Sequence, residues 1–133
     1  DEIYNDPANI FVAQFIGTPK MNILKINSED IVSNNQINFL GNKVTVEGIN
    51  LSKNNYYLGI RPEHFSVSSD SEYKFEPKID LIENLGNEKI AYIKMSNHDI
   101  SAKISSQNKI ENLIGFNSKD IFLFDENGKR IKS

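Results

Sequence analysis

The sequence has no cysteine and only two histidines, His64 and His98. Disulfides, thiolate metal centres and cysteine nucleophiles are therefore excluded, and a histidine-rich metal site is too. The lack of thiols fits a reducing compartment. An excess of basic charge is missing as well: 15 Lys and Arg stand against 18 Asp and Glu, for a net charge of -3. The basic residues are scattered, so the electrostatic footprint of a phosphate-backbone binder is absent and nucleic acid is not an expected partner. No apolar run approaches the roughly 18 to 20 residues that span a bilayer, and no basic segment followed by an apolar one opens the chain. The expectation is a soluble, cytoplasmic protein. A starting methionine is also missing, which suggests a piece of something longer.

What is present fits one modest domain of 133 residues with an appendage. Near the N-terminus, Asp6 can cap a helix, Pro7 suits its first turn, and Gly17 and Pro19 stop it. Within Pro7 to Ile16, the residues Ala8, Phe11, Val12, Phe15 and Ile16 recur at helical spacing and form an apolar stripe. Such a stripe needs a surface to pack on, here expected to be a parent domain.

After Pro19 the apolar period shortens to two. A strand is expected over Asn22 to Ile26, then a polar stretch through Asn35. Ile37 and Phe39 alternate with polar neighbours, Gly41-Asn42 marks a turn, and Val44 and Val46 resume the alternation as a hairpin. Tyr56 to Ile60 forms a strand that Pro62 ends or bends. Ile79 and Leu81 begin another, and Ile90 to Met95 pairs with Asp99 to Ile104 around Ser96-Asn97-His98. A last strand, Asp120 to Phe124, meets the turn Asp125-Glu126-Asn127-Gly128 and closes with Arg130-Ile131. Six to eight short strands at this spacing predict a mainly β fold, a small OB-like barrel or sandwich preceded by one α-helix.

No motif of catalysis appears. A phosphate-binding loop needs Gly-x4-Gly-Lys-Ser/Thr, whereas Gly128-Lys129 is followed by Arg130 and has Leu123 five residues before it. His64 lies near Glu63, Ser66 and Asp70, but no spacing there defines a nucleophile and its base. His98 is expected in a turn with a solvated side chain. Asn50-Leu51-Ser52 matches a glycosylation pattern by chance, as no secretory signal accompanies it. Tyr56, Tyr57, Tyr73 and Tyr92 offer rings for stacking bases, against an unfavourable charge balance. The densest run is Arg61-Pro62-Glu63-His64-Phe65. Its structural reading has Arg61 and Glu63 satisfy each other or nearby backbone while Phe65 enters the core; its sharper reading is an interface.

Three segments together resemble the C-terminal region of the ATP-binding subunits of maltose and glycerol-3-phosphate type (MalK-like) bacterial ABC sugar importers. Glu2-Ile3-Tyr4 through Pro7 and on to Asn22 is similar to that family's last nucleotide-domain helix and its exit. Leu58-Gly59-Ile60-Arg61-Pro62-Glu63-His64-Phe65 resembles the signature of its second domain, called TOBE. Ile82-Glu83-Asn84-Leu85-Gly86, Ile121-Phe122-Leu123-Phe124-Asp125 and Gly128-Lys129-Arg130-Ile131 resemble its later strands. The resemblance implies a boundary near residue 20, with 1–20 a terminal helix and linker of a nucleotide-binding domain and 21–133 the OB-like TOBE domain. It implies that ATP and Mg belong to the upstream domain and that this region is a non-catalytic regulatory and dimerisation module. The implied partners are its own nucleotide-binding domain, a second subunit, the transporter's membrane subunits and, in some members, a regulatory protein. The implied place is the inner face of the cell membrane. Some TOBE-type domains bind molybdate, so the alternative is a small-ligand or oxyanion-binding module.

Overall fold

Alternation carries the fold. The structure, a computed structural model, describes residues 7–15, 17 and 19–132, with the side chain of Phe15 also outside the description. Three strands, β1 (Asn22–Ile26), β5 (Tyr56–Ile60) and β11 (Ile121–Asp125), form an antiparallel sheet with β5 at its centre, and β12 (Arg130–Ile131) extends it beyond β11. Leu24, Ile26, Leu58, Ile60 and Leu123 point to one face and enter the main core. The residues between them, Ile23, Tyr57, Phe122 and Phe124, point to the other. A sheet apolar on both faces must be covered on both.

The inner face is covered by two meanders and a short ribbon. One meander is β2 (Ile31–Ser33), β3 (Gln36–Phe39) and β4 (Asn42–Thr45); the other is β7 (Ile79–Asn84), β8 (Glu88–Met95) and β9 (His98–Ser105). The ribbon pairs β6 (Tyr73–Phe75) with β10 (Ile114–Phe116). Ile37, Phe39, Val44, Ile93, Ile100 and Phe116 close the core, with Phe39, Phe65, Phe75 and Phe116 packed edge to face or tilted at 5.6 to 6.3 Å. This is the mainly β, OB-like architecture expected.

Twelve strands form among the described residues where six to eight were expected, because β2, β6 and β10 have only three residues each, too few for an alternation to show. The polar stretch before Asn35 holds a 3-10 turn at Ser28–Asp30 and then β2. Asp120 lies in another 3-10 turn, Ser118–Asp120, so the last long strand begins one residue later. Turns are also displaced. Phe39 pairs with Asn42, leaving Leu40 and Gly41, both at positive φ, as the two-residue connection; the expected Gly41-Asn42 turn moves back by one.

The outer face is covered by α1 (Ile10–Phe15), shorter than the expected Pro7 to Ile16. Asn9 caps its first turn, accepting the Val12 N–H at 2.9 Å; the expected cap, Asp6, lies outside the described residues. The helix starts late because Pro7 to Asn9 runs along β12 as a strand would. The Arg130 N–H donates to the Ala8 carbonyl at 3.1 Å, and the Ile10 N–H donates to that of Gly128 at 3.0 Å. Ile10 and Ala13 then lie over Met21, Ile23 and Phe124.

Candidate interaction site

The signature run sits at the end of the central strand. Arg61 leaves β5 in extended conformation, and Pro62–His64 forms a 3-10 turn, with the His64 N–H donating to the Arg61 carbonyl at 3.0 Å. Pro62 is buried. Phe65 is buried among the core aromatics, 6.1 Å from Phe75 and 6.2 Å from Phe116. Arg61 is 1% exposed, an unusual place for a guanidinium. It points toward the helix side of the sheet, 6.0 Å from the Phe122 ring centroid, while Arg130 lies over the same ring at 4.6 Å. A side chain at Gly17 would come within 3.8 Å of its Nη1, so Arg61 reaches the helix exit. His64 and Glu63 are the members that meet solvent. His64 Nδ1 lies 3.9 Å from Asp120 Oδ1, tying this turn to the one before β11. Most of the run is thus directed inward.

The helical stripe divides. Ala8 and Phe11 face solvent, Phe11 at 70% exposure, and Val12 is half-buried; Ile16 and the Phe15 side chain lie outside the described residues. The face laid on the sheet is that of Ile10 and Ala13.

Two features escape a reading of the sequence. The first is β7, whose side chains face solvent along its whole length, including Leu81 at 59% and Ile82 at 47%, followed by Leu85 at 54%. The strand pairs with β8 on one side and with no described strand on the other. The Ile79-Leu81 alternation announces a strand, but an alternating pattern does not say whether its apolar face meets the core. On its outward face Tyr92 donates to Glu83 at 3.0 Å, and that bond holds the phenol above its ordinary range.

The second is a polar cleft of about 740 Å³ between β1, the end of β3 and the start of β9, lined by Lys25, Asp30, Asn38, Asn97, His98 and Asp99. His98 is not in a turn with a solvated ring. It is the first residue of β9, paired with Met95, because Ser96 and Asn97, both at positive φ, make a two-residue connection. Its half-buried ring lies 5.8 Å from Phe39, and burial pulls its pKa below the usual 6.5 against the opposing pull of Asp30. Asn22 holds β1 and β9 together at the cleft's end. Its amide donates to the Ser101 carbonyl at 2.9 Å and to that of Ile60 at 3.0 Å, and its oxygen accepts the Ser101 N–H at 2.8 Å. The side chain thereby pairs with Ser101 as a peptide group would.

Other chemistry is sparse among the described residues. No group of three or more His, Asp or Glu is placed to hold a metal ion, and no helix is long and apolar enough to cross a membrane. The four tyrosines do not share a stacking platform: Tyr56 is buried, Tyr57 packs under α1, and Tyr73 spends its hydroxyl on the Thr45 N–H.

No protein-family model matches the chain. Curated relatives do. A maltose/maltodextrin import ATP-binding protein of Vibrio vulnificus is 31% identical over 98% of this chain, and a sn-glycerol-3-phosphate import ATP-binding protein of Psychromonas ingrahamii 32% over 93%. The chain belongs to this family of sugar-import ATP-binding proteins. A maltose/maltodextrin import ATP-binding protein of Yersinia pestis is 43% identical over 71% of the chain. The chain spans 38%, 35% and 27% of the length of these three relatives. Its β-rich fold agrees with the C-terminal region that the sequence resemblance indicated.

Proposed function

We propose that this chain is the non-catalytic distal module of an ABC-importer ATP-binding subunit, holding two subunits together while their nucleotide-binding domains open and close. ATP and Mg belong to the upstream domain, and the assembled transporter imports a sugar or related solute from the cytoplasmic face of the membrane. Family membership supports the importer context, and the absence of a phosphate-binding loop in the sequence supports a module without ATPase chemistry. The observation that carries the interaction role is β7, which exposes Ile79, Leu81 and Ile82 and whose outer edge pairs with no described strand. Proteins shield such edges unless something pairs with them. Removing residues 21–133 from the whole subunit tests the reading. The expected result is loss of the nucleotide-free dimer by sedimentation; a resting dimer and transport regulation unchanged by the deletion would refute it.

A second reading, small-ligand binding, is favoured by the polar cleft around His98. Asp30 and Asp99 stand against one ammonium, Lys25, so an uncharged polar ligand suits it better than an oxyanion. Calorimetry with molybdate, sulfate and sugars separates these, and saturable micromolar oxyanion binding would reverse that order.

A further inference from the structure

We infer that β7 pairs antiparallel with β7 of a second copy, with Ile82 of each chain facing the other across a two-fold axis. This rests on the reading of the chain as a two-copy module. The backbone fixes which residues can form the new ladder. The Leu85 N–H donates to the Glu88 carbonyl, so in an antiparallel pair Glu83 and Leu81 also turn their backbone groups toward β8. Ile82 and Asn84 therefore present N–H and C=O to the open edge.

The side chains select the register. Centring the axis on Ile82 sets Ile82 against Ile82 and Leu81 against Glu83 of the second copy, the regular ladder ending at the bulge between Ile79 and Leu81, so no two carboxylates meet. Moving the axis to Glu83 sets Glu83 opposite Glu83, a like-charge pair across the strands. Moving it to Asn84 leaves Ile79, Asp80 and Leu81 with nothing to face. A register centred on Leu81 also separates the carboxylates, but it sets Asp80 opposite Ile82 and puts the bulge between Ile79 and Leu81 inside the ladder, so the Ile82 register is the one that faces apolar residues on regular backbone. A two-fold arrangement of this kind is self-complementary and closed, so it stops at two copies. It joins two three-stranded meanders into one sheet and hides both open edges.

Because the chain has no cysteine, introduced thiols report the register directly. Leu81 and Glu83 of opposing copies form a non-hydrogen-bonded pair, the closer of the two kinds and suited to a disulfide. Mixing Leu81→Cys and Glu83→Cys chains under mild oxidation should yield cross-linked dimer well above either variant alone. In sedimentation equilibrium, Ile82→Lys, which places two ammonium groups beside the axis, should weaken self-association by about tenfold or more. Leu81→Lys, opposite Glu83, should change it by less than about threefold. Circular dichroism and thermal melts confirm that each variant is folded, as all three positions are exposed. If the wild type dimerises while cross-linking is unselective or the two lysine variants behave alike, this pairing is wrong and the two-copy reading stands. If the wild type stays monomeric at high micromolar concentration, alone and within the whole subunit, that reading falls and the pairing with it.

Discussion

Asn22 is a single polar side chain doing the work of a strand pairing. Its three hydrogen bonds satisfy the Ser101 N–H and the carbonyls of Ser101 and Ile60 where β1 and β9 come together. Removing the amide leaves those main-chain groups without partners in a largely buried place, and an unsatisfied buried group costs about 1–3 kcal/mol. Asn22→Ala should lower stability by about 2–4 kcal/mol, read as a fall in the urea midpoint with an unchanged slope. At the other end of the same cleft, His98 makes stability depend on pH. Burial lowers its folded pKa below 6.5, so the unfolded chain binds the proton more readily. Its contribution is complete above that value and is lost as pH falls through it toward the folded pKa. Lys25, Asp30 and Asp99 line the cleft with it, and the carboxylate of Asp30 moderates the effect. His98→Gln should flatten the urea-midpoint profile between pH 7.5 and pH 5; a profile identical to the wild type would refute this.

At the scale of elements, close approach rather than propensity decides several positions. Gly115 of β10 exchanges backbone hydrogen bonds with Ser66, at 2.7 and 2.9 Å, while a methyl group on it would overlap the Ser71 side chain. Neither strand nor loop has a flexible side-chain tip there to yield, since the clash is with Ser71 Cβ and Oγ. Gly115→Ala should cost about 1–3 kcal/mol, and Ser71→Gly in the same chain should recover much of it. Thermal melts of the single and double variants check the coupling, and additive losses would show that Ser71 is not the obstacle. The sequence reading locates β5 and β1 to the residue, because each is a five-residue run rich in apolar and aromatic side chains bounded by polar or Pro-containing segments. It places the Leu40-Gly41 and Ser96-Asn97 turns one residue off or one residue too long. The reason is that non-glycine residues fill positive-φ sites, and composition gives no signal for them. It misses β6 and β10 because their pairing comes from distant partners, and β2 because three residues are too few for a period to show.

The described residues form four sheets around two unequal cores, and the interaction surface follows from that. The Arg61 to Phe65 run is conspicuous in sequence because buried charge and fixed backbone are unusual, yet most of it points inward. The apolar residues of β7 look like ordinary core in the sequence and face solvent. Local pattern reports that a residue is apolar; only the arrangement of strands reports what it meets. The same arrangement bears on the boundary proposed near residue 20. The main core draws on residues from Leu24 onward, whereas α1 contacts a separate small cluster of Ala13, Met21 and Phe124 on the opposite face. A chain beginning at Pro19 should therefore keep the barrel and lose only the cover over Met21, Ile23, Tyr57 and Phe124. Loss of the buried Ala13 and of the hydrogen bonds from Ile10 and Arg130 should cost about 2–3 kcal/mol. Unfolding should remain cooperative, with a lower midpoint and increased binding of a hydrophobic dye to the uncovered face. If the shortened chain instead lost its cooperative transition, the helix and barrel would be one folding unit, and the boundary at residue 20 would have to be abandoned.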